Sequence, residues 1–286
     1  MALTTLPKPP MPMPRNKKQT TAIRGIRAIR GIRGIRGRAT LTGASLAAAT
    51  LLLSGCSSYD STTPSDARGK AGDQVKVAAG AVDCNEAKCI ALTFDGGPGP
   101  KTPELLKTLK KEKVPATFFL LGKKHIDRYP DTVRAIADAD EGHEVANHTW
   151  THPRLPDVSE DEVRRELSRT QDELERLTGT KPTLMRPPQG RTDDKVEKVC
   201  KELGLSQVMW STTAKDYKTN DSALIQKRTL DQAGRDGIIL LHDIYKGTVP
   251  AVPGIITELK KQGYTFVTVT DLLAPAKPEP GKVYKP

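Results

Sequence analysis

A chain of 286 residues with 36% hydrophobic and 28% charged residues has the length and composition of a globular body with a real core. Its net charge of +11 is not the mark of a nucleic-acid binder. Residues 1–55 hold ten basic residues and no acid, and taking these from the total leaves +1 for everything that follows.

The chain opens on a basic segment in which Ile-Arg-Gly or Ile-Arg-Ala recurs from Ile23 to Gly37. A period of three matches neither a helix face nor a strand face, so the segment reads as an overlong leader or the product of a misplaced start codon. The apolar run Leu41 to Leu53 is too short for a stable membrane anchor and has the character of a signal-peptide core. It ends in Leu53-Ser54-Gly55-Cys56, which resembles the bacterial lipobox. Residues 1–55 are therefore expected to be a signal peptide, with Cys56 as the lipidated membrane anchor; ordinary cleavage without a lipid is the alternative, and both imply export.

Residues 56–83, rich in Ser, Thr, Asp, Gly and Ala without a sustained apolar period, are expected to form a flexible linker. Export to an oxidising compartment favours a disulfide between Cys84 and Cys89 over a thiol metal site. Cys200 lies on the stripe Val196, Val199, Cys200, Leu203 and reads as a buried core thiol.

Seven short apolar runs then alternate with helical patterns: Ile90 to Phe94, Thr117 to Leu121, Glu144 to Ala146, Thr183 to Met185, Gln207 to Trp210, Ile238 to Leu241 and Thr265 to Val269. Strands in βα order imply an α/β fold with a parallel sheet or an incomplete barrel, and with function on the loops that follow the strands. Thr102 is expected to be the N-cap of one helix with Pro103 at its first position, and Ser159 with Glu162 to form a capping box on another. On the latter, Val163, Leu167, Leu174 and Leu177 keep helical spacing, and its charged residues are expected to face solvent. The Pro-rich tail, residues 276–286, is expected to be disordered.

The residues with chemistry fall at strand ends. Asp95 is followed by Gly96-Gly97-Pro98, a turn that leaves its carboxylate facing the barrel mouth. His148 and His152 are four apart, so one helical turn would bring both imidazoles to one side, as a metal requires. His143 is expected to be structural, and His125 to sit in a polar loop without a partner. Arg186, before Pro187-Pro188-Gln189, can orient a carboxylate; Asp216, before Tyr217, can orient an imidazole; His242, after Leu240-Leu241, can act as a general acid. Each alone could be a salt bridge or a cap. Their order at successive strand ends is far more specific.

That order resembles the polysaccharide deacetylases with a NodB homology domain, carbohydrate esterase family 4, over about Cys84 to Leu273. The resemblance implies a distorted (β/α) barrel of about seven parallel strands over residues 84–275. It implies hydrolysis of N-acetyl groups of a cell-envelope glycan such as peptidoglycan or a chitin-like oligosaccharide, with a divalent metal, zinc, as cofactor. By motif position Asp95 matches the catalytic base, His148 and His152 the metal ligands, Arg186 the residue that positions the base, His242 the general acid and Asp216 the acid that tunes it. Tyr217 and Leu240 match residues lining the acetyl pocket, and the backbone near Gln189 matches an oxyanion donor.

The chain departs from the family at Gly96, where a second Asp usually completes the metal set, and at Thr213, Tyr217 and Gln189. These departures carry the alternative expectation of a degraded deacetylase fold that only binds glycan. The expected partners are an N-acetylated polysaccharide and the membrane through Cys56, with no nucleic acid and a monomeric state.

Overall fold

The computed structural model describes residues 59–71 and 81–286, so the basic leader, the apolar run and Cys56 lie outside the described residues. Among these residues the elements run β1 (Ser61–Thr62), α1 (Pro64–Lys70), β2 (Cys89–Asp95), α2 (Thr102–Glu112), β3 (Thr117–Leu120) and α3 (Pro130–Ala137). They continue with β4 (Glu144–Asn147), α4 (Glu160–Thr178), β5 (Leu184–Met185), α5 (Asp194–Glu202), β6 (Ser206–Val208) and β7 (Thr212–Thr213). The chain closes with α6 (Ser222–Gln232), β8 (Gly237–Leu241), α7 (Thr248–Lys261), β9 (Thr265–Val267), α8 (Val269–Leu273) and β10 (Val283–Tyr284). All seven expected strands are present. No helix among the described residues is long and apolar enough to cross a membrane.

Every strand pairing is parallel, in the order β1-β10-β6-β5-β4-β3-β2-β8-β7. The path does not close on itself. The sheet divides at β2, whose first half pairs with β9 from Cys89 to Ala91 and whose last residues pair with β3 from Thr93 to Asp95. This is the incomplete barrel that the βα alternation predicts, with crossover helices on its outside.

Strand periodicity separates packing from chemistry. Ile90, Leu92 and Phe94 of β2 point into a core shared with α2, α6 and α7, while Ala91, Thr93 and Asp95 take the other face. Phe118 and Leu120 of β3 join the same helix-covered core, and Phe119 between them turns inward. A two-residue period thus brings Asp95 to the inner face at the sheet's C-terminal edge.

Side-chain caps set most helix starts, with two departures from expectation. Ser159 accepts from Glu162 N at 3.2 Å as expected, but the Glu162 carboxylate turns to Arg165 at 3.0 Å, so the box is half formed. Thr102 is the first residue of α2 rather than its cap; Lys101 takes that place without a side-chain bond. The Thr102 hydroxyl is used elsewhere, accepting from Gly99 N at 2.8 Å and donating to the buried Asp243 carboxylate. Val163, Leu167 and Leu174 of α4 are fully buried, each contributing about 1.5–3 kcal/mol by leaving water.

Both expected flexible ends differ from the structure where it describes them. Residues 59–71, inside the expected linker, form β1 and α1. Arg68 there is buried, donating to Leu272 O at 2.7 Å and Asn85 Oδ1 at 3.0 Å and pairing with Asp236 at 2.7 Å. The expected disordered tail carries β10, wedged between β1 and β6. Val283 and Tyr284 are an apolar pair able to fill an edge, a signal masked by the surrounding Pro and Lys. Cys84 and Cys89 are joined by a disulfide, and burial pushes the Cys200 thiol pKa up.

Candidate active site

Arg186 follows β5 and is completely buried, with its guanidinium shared among four acceptors. It donates to Asp95 Oδ1 at 2.6 Å, Thr93 Oγ1 at 2.8 Å, Val208 O at 3.0 Å and Met209 O at 3.3 Å. Its plane lies 4.0 Å over the Phe119 ring. Asp95 is thereby held in one pose with its second oxygen turned toward His148, 4.0 Å from Nε2.

His148 and His152 meet, but not on a helix. Residues 148–152 form an irregular loop after β4, with φ of 70° at Thr149 and 65° at His152. The reversal places the two rings edge to face with centroids 5.0 Å apart. His148 Nδ1 bonds the Arg186 carbonyl at 2.8 Å, which leaves Nε2 free on the Asp95 side. Burial lowers the His148 pKa to about 4 against the opposing charge of Asp95, and burial likewise lowers that of His152. Both rings are neutral near pH 7, the form that ligates a metal.

Across the mouth, His242 follows β8. Its Nδ1 lies 2.9 Å from Asp216 Oδ1, and its backbone N donates to Asp216 Oδ2 at 2.7 Å. Thr248 adds a third bond to that carboxylate at 2.8 Å. Burial works against the imidazolium, but the bond to Asp216 and its charge outweigh it, so the His242 pKa is raised. Tyr217 is half exposed, with its ring 6.0 Å from that of His242, and Tyr245 stands at 5.3 Å. Leu240, two residues before His242 on β8, is buried.

The turn at Gln189 departs from expectation in part. Gln189 is exposed with φ of 58°, and the next two N–H groups, of Gly190 and Arg191, are spent on the carbonyls of Pro187 and Pro188 at 2.9 and 3.1 Å. His125, expected to lack a partner, bonds Pro98 O through Nδ1 at 3.1 Å. His143 is buried beside Phe118, accepting from Ala116 N at 3.2 Å.

At Gly96 the backbone has φ of 75°, and a Cβ there would meet only Ile244, at 3.6 Å. No carboxylate fills that place. Among the described residues no group of three His, Cys, Asp or Glu is arranged to hold a metal ion. Two neutral imidazoles beside the Asp95 carboxylate are a donor set that would suit a divalent metal.

Two buried acids of the site lie outside the residues that the sequence singles out. Glu166 of α4 is 4% exposed, contradicting the expectation that the charges of this helix face solvent, and its carboxylate binds the His148–His152 loop. The signal was present: Glu166 falls between Val163 and Thr170 on the buried stripe. Asp243 is fully buried against Gly97, where a Cβ would come within 2.4 Å of Oδ1; burial raises its pKa to about 6.

Residues 83–208 match the family model described as polysaccharide deacetylase. The chain is 41% identical to peptidoglycan-N-acetylmuramic acid deacetylase PdaC of Bacillus subtilis over 67% of its own length, but spans only 40% of that relative. It is 37% identical to a peptidoglycan-N-acetylglucosamine deacetylase of Bacillus cereus, covering 66% of this chain and 90% of that one. The solved structure of T48 deacetylase with substrate superposes with a TM-score of 0.67 at 37% identity, over 71% of this chain and 100% of that chain. Identity at this level across nearly the full length of a relative, on a shared parallel fold, places the chain in the polysaccharide deacetylase family.

Proposed function

We propose that this protein hydrolyses N-acetyl groups on a cell-wall glycan, peptidoglycan in the first instance, with a divalent metal as cofactor. The observation that carries the reading is the pairing of two polar dyads at one mouth: Asp95 fixed by Arg186 at 2.6 Å, and His242 fixed by Asp216 at 2.9 Å. Peptidoglycan deacetylation is in the names of the relatives matched over most of this chain.

A divalent metal, zinc by the nature of its two nitrogen ligands, would be held by His148 and His152 and would polarise the acetyl carbonyl. Asp95, with Oδ1 saturated by Arg186, has Oδ2 left to take the proton of an attacking water. His242 keeps its Nδ1 bond to Asp216, so its Nε2–H is the proton available to the departing amine. That proton must arrive as the C–N bond breaks, because an amide anion is a poor leaving group. Tyr217 and Leu240, flanking His242, supply the walls for the acetyl methyl, and the Gln189 turn supplies the rim.

The reading extends to location: export with Cys56 as a lipid anchor a few residues before β1, and action as a monomer on the wall outside the membrane. The glycan-binding remnant is the weaker alternative, because both proton-transfer dyads stand at bonding distance.

The test is acetate release from N-acetylated peptidoglycan. The wild-type protein is expected to release acetate, and Asp95→Asn to lose about 10²–10⁴-fold in kcat while keeping its fold. An Asp95→Asn variant as active as wild type would refute the assignment of the base.

A further inference from the structure

The segment joining the two imidazoles has no repeating structure, yet four consecutive backbone N–H groups in it are all satisfied by side chains. Asn147 Oδ1 accepts from Thr149 N at 2.8 Å, and Thr149 Oγ1 accepts from His152 N at 3.1 Å. The two between them belong to one carboxylate: Glu166 Oε2 accepts from Trp150 N at 2.8 Å and Thr151 N at 2.7 Å. Glu166 Oε1 takes the Thr151 hydroxyl at 2.6 Å.

The loop needs such holding. Thr149 and His152 both occupy the left-handed region, which non-glycine residues keep only where the surroundings enforce it. Glu166 sits on α4, a regular helix of 19 residues, and the next carbonyl on that helix, Leu167 O, accepts from Asn147 Nδ2 at 2.8 Å. One turn of α4 therefore grips the segment both before His148 and between the two histidines. A helix is a rigid support, and the loop borrows its rigidity.

We propose that Glu166 is the positioning residue of the His148–His152 pair: its carboxylate fixes the separation and orientation of the two imidazoles, and through them the affinity for a divalent metal. It touches neither metal nor substrate. The inference rests on the metal reading given above.

The test is calorimetric titration of zinc into the metal-free full chain. Glu166→Ala is expected to weaken zinc binding about 10–100-fold, with helix content and cooperative melting retained. Glu166→Gln is expected to stay within about threefold of wild type, because its amide oxygen can accept both N–H groups while its NH₂ donates to Thr151 Oγ1. If Glu166→Ala does not fold, Thr151→Val carries the test; it removes one contact of three and is expected to weaken binding by a smaller factor. Wild-type affinity in the variant that folds overturns the proposal. A loss in Glu166→Gln equal to that in Glu166→Ala also overturns it, since charge rather than bond geometry would then be acting. A wild-type protein that takes up no zinc removes the metal reading and this inference together, whereas a wild type that binds beside an equally competent Glu166→Ala removes only the role of Glu166.

Discussion

Asp216 takes four bonds on its carboxylate: from the His242 ring, the His242 backbone N–H, the Thr248 hydroxyl at the start of α7 and the Tyr217 backbone N–H at 3.1 Å. The result is an imidazole fixed in place and kept protonated to higher pH than its burial alone would allow. The sign of the consequence follows. A general acid with a raised pKa is active below that value, so kcat is expected to fall as pH rises through it. Asp216→Asn removes the bond to an anion and its charge, and burial then acts against the imidazolium with only the Asp95 charge opposing it. The alkaline limb of the pH profile of kcat is then expected to move to lower pH, which acetate release measured across the pH range would show. A limb that stays in place would mean that another group supplies the proton.

At the scale of elements, β10 is the least expected part of the fold and a firm one. Tyr284 is 1% exposed, its hydroxyl accepts from Glu279 N at 3.0 Å, and its carbonyl accepts from Met209 N at 2.8 Å. Tyr284→Ala is expected to cost about 3–5 kcal/mol, read by thermal or denaturant unfolding; a change under about 1 kcal/mol would show that the strand is dispensable. Local sequence could not reveal β10 because it pairs with strands far away in the chain and lies between prolines. The seven βα strands were legible because each carries its own apolar run. The same contrast holds inside the site. Asp95 and Arg186 stand out at strand ends beside Gly and Pro, and His242 directly after an apolar run, where chemistry is expected. Glu166 is buried in a helix rich in surface charges, and only its place on the apolar stripe distinguishes it. The spacing of His148 and His152 pointed to a shared ligand site correctly and to a helix wrongly, since an irregular loop with two positive φ values also brings residues four apart together.

For the whole molecule, the charge is divided between residues 1–55, with ten basic residues, and a nearly neutral remainder, the division that the proposed export leads one to expect. Cys56→Ala is expected to shift the protein from the membrane fraction to the soluble one, and equal partition of both forms would contradict lipid anchoring. The parallel fold holds the Asp95–Arg186 and His242–Asp216 pairs, and Gly96 stands after Asp95 where the resemblance leads to a second carboxylate. The account therefore stands or falls on whether two histidines hold an ion beside Gly96. The direct measurement is zinc affinity by calorimetry for wild type, His148→Ala and Gly96→Asp. The account predicts binding by wild type, its loss in His148→Ala, and an increase of about tenfold or more in Gly96→Asp, where a Cβ meets only Ile244 at 3.6 Å and the φ of 75° strains any side chain, Asp less than most. Equal affinity in all three proteins would contradict it.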